Sequence, residues 1–240
     1  MSITEKIETV GQLLDWCDEH EFSVDSMFRG QVSGWPMVPT VARPQLAKIV
    51  EDFDHWQSLH EYLLERFERF GQPFLDCRKH SEIELIVLGQ HHGLPTRLLD
   101  FSTNPMKALF FAVSDPSTDG IDGIIWMVNP TAWREDLSDD KKKYWDSEIT
   151  AFFPPSWNPR LIAQEGCFIC FPMPMNCFSL DPISESYNDP GIRSVHAAIV
   201  PSGAKQRLRR ELRRLGITHR TMFPDLEGVA RSSVAELFGE

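Results

Sequence analysis

The chain has 240 residues, 42% of them hydrophobic and 25% charged, which supports a sizeable core and excludes wholesale disorder. A net charge of −11 and a pI near 5.2 exclude a surface that coats nucleic acid or anionic membrane as a whole, while leaving room for a local basic patch. No apolar run approaches the roughly 18 residues of a membrane-spanning helix. The opening MSITEKIETV lacks the charged-then-apolar order of a signal peptide, so a cytoplasmic protein is expected.

In chain order, Thr9 with Gln12 makes a capping box ahead of Val10, Leu13, Leu14 and Cys17, which predicts a helix from about 10 to 20. The stretch 26-SMFRGQ-31 reads as a strand, although Arg is rarely buried without a partner and Gly weakens a strand. Three prolines make 33–44 an irregular loop. A long helix follows, with Phe53, Trp56, Leu63, Phe67, Phe70 and Phe74 read as a core stripe. Ser81 with Glu84 caps a short helix carrying Leu85 and Leu88.

The centre, 89-GQHHGLPTRLLDFSTNPMKALFFAV-113, is the densest in polar chemistry. Asn104 and Pro105 read as an N-cap and first helical position. His91 and His92 sit ahead of Gly93 and Pro95 in a pocket-lining loop, positioned for acid or base chemistry. Arg97 and Asp100 are expected to form a salt bridge that fixes that loop. His55 and His60 read as surface or helix-face residues.

Beyond it, 123-GIIWMV-128 reads as a buried strand and 129–159 as surface elements. The run 161-LIAQEGCFICF-171 reads as one or two strands, as does 195-VHAAIV-200. Cys167 and Cys170 form a C-x-x-C, but residues three apart on a strand face opposite sides. They therefore read as packed thiols rather than as a disulfide or metal pair. Ser202 is expected to cap a helix closed by Gly216. Within it, 205-KQRLRRELRRLG-216 carries six Lys or Arg against one Glu, with Leu208, Leu212 and Leu215 as the buried stripe and the arginines fanning outward. Pro224 and Asp225 start a last helix. Strands and helices mix without βαβ alternation, which argues for α+β.

The pieces 28-FRGQ-31, 90-QHHGLPTRLLDFS-102, 108-ALFFA-112, 164-QEGCF-168 and 223-FPDLEG-228 together resemble the FRG domain. The resemblance runs over about residues 8 to 238, so residues 1–240 are read as a single FRG domain. A more distant resemblance is to mono-ADP-ribosyltransferases of the arginine–serine–glutamate type. Their first strand reads aromatic-Arg-Gly, like 28-FRG-30, and their second signature is similar to 102-STNPMKALFF-111. This resemblance implies an ADP-ribosyltransferase-like split mixed β-sheet flanked by helices. It also implies that the ligand is NAD or a related nucleotide, without a metal.

On that reading Arg29 clamps the nucleotide through its planar fork, and Gly30 lets ligand lie against backbone. Gln31, Thr96, Ser102 and Thr103 complete the nucleotide contacts. Gln164 stands where the transferases place a catalytic glutamate, with Glu165 beside it. Arg29, Gln164, Glu165, His91 and His92 are the residues for the chemistry. That chemistry is transfer of ADP-ribose to a macromolecular acceptor, protein or nucleic acid, or hydrolysis of NAD, in a toxin or antiphage-defence role. No membrane partner is expected. Two alternatives stay open. One is a binding module that kept the fold and lost the acid. The other is a nucleic-acid-acting protein using the His91/His92 loop and the basic helix over 205–215.

Overall fold

The computed structural model describes residues 3, 5–76, 80–135, 147–154, 159–173 and 180–237. Part of the 129–159 stretch read as surface elements lies outside them. Helix α1 (Val10–Glu19) begins where Thr9 Oγ1 accepts the Gln12 amide at 3.1 Å. Strand β1 (Met27–Gln31) follows. The proline-rich stretch then carries a 3-10 turn over Thr40–Ala42 and a short α2 (Pro44–Ala47). Helix α3 (Trp56–Gly71) precedes α4 (Glu82–His91), which starts with the expected Ser81–Glu84 capping box.

Strand β2 (Leu98–Ser102) leads into α5 (Pro105–Val113), where Asn104 Oδ1 accepts the Met106 amide at 3.0 Å. Strands β3 (Gly123–Pro130), β4 (Trp133–Arg134) and β5 (Thr150–Phe152) follow, then α6 (Pro159–Ala163) and β6 (Gly166–Cys170). The chain closes with β7 (Ile192–Val200), α7 (Lys205–Arg214), α8 (His219–Met222) and α9 (Leu226–Leu237).

The strands form one mixed sheet in the order β4-β5-β6-β2-β1-β3-β7, with β4 and β5 parallel and the other neighbours antiparallel. This is the α+β class that the sequence argues for. Pairing is uneven. β1 follows β3 through five residue pairs, whereas β1 and β2 meet only at Phe28 with Ser102 and then part.

Side chains alternate across a strand, so Phe28 and Gly30 face one side and Met27, Arg29 and Gln31 the other. On the Phe28 side, α5 and α7 pack with α1 over Ile125, Met127, Ala198 and Val200. On the same side, α4 covers Leu98, Phe168 and Cys170. The other side buries Met27, Leu99, Phe101, Trp126 and Cys167. Cys167 and Cys170 thus lie in different layers, as strand alternation requires, and both are free thiols.

Several expectations are corrected. The stripe along α3 is only partly core. Trp56 and Leu59 pack with Val41 and Met173, and Leu64 packs with α4, but Phe70 and Phe74 are exposed beyond those contacts. Arg66 covers the rings of Tyr62 and Phe70 instead, at 5.4 and 5.0 Å. His60 is buried, not superficial, because it lies on the packed side with Leu59 and Leu64.

Residues 161–171 are not continuous strand. Pro159–Ala163 is helical, Gln164 and Glu165 form a turn, and only Gly166–Cys170 pairs. Glu165 adopts φ 48°, so Gln164 and Glu165 do not lie on the strand expected for them.

The basic helix does not fan all its cations outward. Lys205 is fully buried and donates to Val32 O, Thr118 O and Thr118 Oγ1. Arg209 grips Asp119 at 2.6 and 2.7 Å and donates to Val113 O. Leu215 is exposed, since the helix has already ended before Gly216 at φ 80°. Ser202 opens a 3-10 turn and makes no side-chain cap. Arg97, just before β2, and Asp100, within it, do not form the expected bridge. Arg97 Nε donates to Cys170 Sγ at 3.0 Å, while Asp100 turns toward Arg29. No described helix is long and apolar enough to cross a membrane.

Candidate functional site

The parting of β1 from β2 opens a cavity of about 260 Å³ on the Phe28 side of the sheet. Its floor is Phe28, Ser102 and Phe168, and its walls come from α4, α5 and α6. Arg29, Gly30, His91, Ser102 and Gln164 line it, so five residues singled out from the sequence converge there. Asp100, Arg160, Gln90 and Phe111 also line it.

Arg29 starts from the far side of β1, and its guanidinium enters the gap between the strands. Nη1 donates to the Asp100 carbonyl, with the Asp100 carboxylate at 4.0 Å. Nε is buried without a hydrogen-bond partner among the described residues. A buried donor left unpaired costs free energy. Burial lowers the Arg29 pKa from its ordinary value, opposed by Asp100 and reinforced by Arg43. Arginine stays charged even so.

Gly30 has a different reason from the one that a ligand would supply. A Cβ there would sit 1.8 Å from Ala108 O and 2.8 Å from Ala112 N, both backbone atoms of α5. The helix, and not a ligand, occupies the space that the missing side chain leaves.

Ser102 is buried and already engaged. Its hydroxyl donates to Gln164 O at 2.7 Å and accepts the Asn104 amide at 3.0 Å. It therefore pins the 164–165 turn to the end of β2 and the start of α5. The Gln164 side chain crosses to α8, where Nε2 donates to Met222 O at 3.1 Å. Arg160, one turn earlier on α6, lies over the Phe223 ring at 4.6 Å.

His91 ends α4 at the mouth, edge-on to His92 with ring centroids 5.1 Å apart. Burial, then His92 and Arg160, lower its pKa from the ordinary 6.5, so it is neutral at pH 7. With Arg29 and Arg160 against Asp100, the lining favours an anion. Its donors can hold phosphate oxygens, and Phe28, Phe111 and Phe168 offer apolar surface to a ring.

The other sequence candidates lie outside this lining. Gln31 is buried and accepts from Trp126 Nε1 at 3.0 Å. Thr96 is buried, donates to Gln90 Oε1 and accepts the Leu98 amide. Thr103 and Glu165 line a neighbouring groove on the far side of the 164–165 turn, where Glu165 pairs with Lys107 at 2.7 Å. His92 is exposed at the end of α4. Among the described residues, no group of three or more His, Cys, Asp or Glu gathers as a metal site.

Residues 25–120 match the family model of the FRG domain. The match supports the FRG family. No curated protein and no solved structure matches the chain. The FRG match spans β1, α4, β2 and α5, and thus supplies Arg29, His91, Asp100 and Ser102 to the cavity. Arg160 and Gln164 come from beyond it, so the FRG segment forms one side of the cavity and the following chain the other.

Sequence reasoning missed Arg160 and passed over Asp100 as a structural partner of Arg97. Asp100 carried a signal, because it and Ser102 share a face of β2. Arg160 carried none, since nothing in Asn158-Pro159-Arg160 sets it apart from a surface arginine.

Proposed function

We propose that this cavity binds NAD or a related nucleotide, with Arg29 as the clamp on its phosphate or ribose oxygens. The observation that carries the reading is the buried Arg29 guanidinium, held at the seam between β1 and β2 with its Nε unpartnered among the described residues. Arg160 and the neutral His91 add donors at the mouth, and Phe28, Phe111 and Phe168 provide surface for a base or nicotinamide ring. At about 260 Å³ the cavity is below the roughly 300–1,000 Å³ of sites that enclose a whole drug-sized ligand. It takes one end of a dinucleotide and leaves the other along the opening.

The distant resemblance to ADP-ribosyltransferases adds the chemistry: cleavage of the bond between nicotinamide and ribose, with transfer of ADP-ribose to a macromolecule or to water. The carboxylate that lines the cavity is Asp100, and it would face the positive charge that develops on the ribose. A second reading, binding without turnover, has its own support. Gln164 supplies no charge and spends its amide on Met222 O, while Glu165 is drawn to Lys107 outside the lining.

Labelled NAD tests both. Equilibrium dialysis with the wild-type chain and Arg29→Ala should show at least tenfold weaker binding in the variant, with circular dichroism confirming that it folds. Equal binding would refute Arg29 as the clamp, and no binding by the wild type would refute the nucleotide reading. Nicotinamide release by the wild type that disappears in Arg29→Ala supports transfer or hydrolysis. Binding with no release supports the module.

A further inference from the structure

Gln90 is half-buried in the last turn of α4 and lines the cavity together with Val87, one turn earlier on the helix, and Phe168. Val87 and Phe168 belong to one core cluster, so the Gln90 amide stands among apolar surface. Arg29 reaches the same cavity from the seam between β1 and β2.

The chain after α4 folds back so that the Gln90 side chain is held in one orientation. Gly93 adopts φ 85°, and the Gly93 and Leu94 amides donate to Gln90 O at 3.0 Å and Gly89 O at 2.8 Å. Leu94 takes the space beside Gly89, where a Cβ would come within 2.8 Å of its side chain. The reversal brings the fully buried Thr96 to the Gln90 amide. Thr96 Oγ1 accepts the Leu98 amide at 3.2 Å and donates to Gln90 Oε1. With the Gln90 amide turned round, Nε2 would meet Oγ1, and the hydroxyl hydrogen would have no acceptor among the described residues, which is costly for a buried donor. Oε1 therefore faces Thr96, and Nε2 has no hydrogen-bond partner among the described residues. The two glutamines of the lining thus differ: Gln164 has spent an N–H on Met222 O, and Gln90 only its oxygen.

We infer that Gln90 is a specificity-determining residue of the cavity, donating from Nε2 to a carbonyl oxygen carried on an aromatic ring. The inference rests on the nucleotide reading, and it names the end of NAD that enters. The nicotinamide ring lies against Val87 and Phe168, and its carboxamide oxygen accepts from Gln90. Adenine carries no carbonyl, and the amino group beside its N1 and N7 would meet the Gln90 amide donor to donor. A site built to hydrogen-bond a substrate group discriminates against an analogue without it, because the protein's own polar group is then left unpaired. Thr96 is a positioning residue: it decides which end of Gln90 faces the ring.

Three dinucleotides test this by equilibrium dialysis against the full chain. They are NAD, its thionicotinamide analogue, in which the weaker acceptor sulfur replaces the carboxamide oxygen, and its acetylpyridine analogue, which keeps the oxygen and loses the amide N–H. The wild type should bind NAD at least threefold more tightly than the thionicotinamide analogue, the size of one neutral hydrogen bond, and the acetylpyridine analogue within about twofold of NAD. Gln90→Leu should bind NAD and the thionicotinamide analogue equally. Thr96→Val should lose most of the preference, and Thr96→Ser, which keeps the hydroxyl, should retain it. Equal binding of NAD and the thionicotinamide analogue by the wild type would overturn the inference without need of a variant. So would a preference that survives in Gln90→Leu, with circular dichroism showing that the variant folds. Loss of the acetylpyridine analogue by the wild type would mean that the ring's amide N–H is read, which refutes the orientation of Gln90. In each of these results NAD still binds and the nucleotide reading stands. No binding of NAD by the wild type would refute that reading and this inference with it.

Discussion

Gly30→Ala separates two explanations of the Phe28-Arg29-Gly30 motif. The added methyl carbon would lie 1.8 Å from Ala108 O. An ordinary carbon–oxygen contact is about 3.3 Å, so strand and helix must part by about 1.5 Å. Neither side yields easily. β1 is paired to β3 along its whole length, and α5 is fixed at its start by the Asn104 cap and packed on Phe28, Ile125 and Met127. Overpacking a core costs about 1–3 kcal/mol, and a clash between two backbones belongs at the upper end, about 3 kcal/mol. For a chain of this size that lowers Tm by roughly 6–12 °C. Thermal unfolding followed by circular dichroism measures it, beside NAD binding at a temperature where the variant is still folded. The expected outcome is a large loss of Tm with binding retained. An unchanged Tm with lost binding would refute the packing argument and return Gly30 to the ligand.

Three further changes test other contacts. Gln164→Glu replaces the donor to Met222 O by a carboxylate that faces a carbonyl; the expected cost is about 1–3 kcal/mol, read as a lower Tm, and an unchanged Tm would show that the contact does not matter. Arg209→Ala leaves the Asp119 carboxylate and Val113 O without their donor. The expected loss in urea unfolding is about 2–3 kcal/mol, below the roughly 3–5 of a fully buried pair because Asp119 keeps contact with water; a change under about 0.5 kcal/mol would place it with ordinary surface substitutions. His196, half-buried and stacked on His20 at 4.5 Å, has its pKa lowered from 6.5 by burial and then by His20. The unfolded chain therefore binds the proton more readily, and stability falls as pH drops from about 6.5 through the lowered value. His196→Gln should flatten the pH dependence of Tm in that window, and an unaltered slope would refute the assignment.

What was legible in the sequence was local. Thr9, the Ser81–Glu84 pair, Asn104-Pro105 and Gly216 mark helix ends through bonds made within a few residues, and each appears where expected. The buried strands were legible from their apolar runs. The site was half legible. Arg29, His91, Ser102 and Gln164 do share a cavity, but why they do depends on contacts far apart in the chain. Gln164 was placed on a strand because LIAQEGCFICF is apolar enough throughout. Instead a short α6 and the positive φ of Glu165 interrupt it, and the side chains of Arg160 and Gln164 reach Phe223 and Met222, which are far along the chain. The arginines of α7 were read as a solvated face because a helical wheel cannot show that Asp119 waits under one of them. The aromatic period of α3 was real, yet only its first half finds a surface to cover.

The single pairing of Phe28 with Ser102 has a consequence for how the sheet comes apart. On one side stand β1, β3 and β7, on the other β4, β5, β6 and β2, and almost no ladder hydrogen bonds tie the two groups. On the Phe28 face each group has its own covering helices and its own core, while on the other face one core runs under both. Opening free energies in native proteins follow such cooperative units. Amide exchange should therefore sort the strands into two sets with separate protection, the three-stranded set riding on α5 and α7 and the four-stranded set on α4. A ligand that bridges Arg29 and Gln164 would bind one set to the other and draw the two exchange rates together.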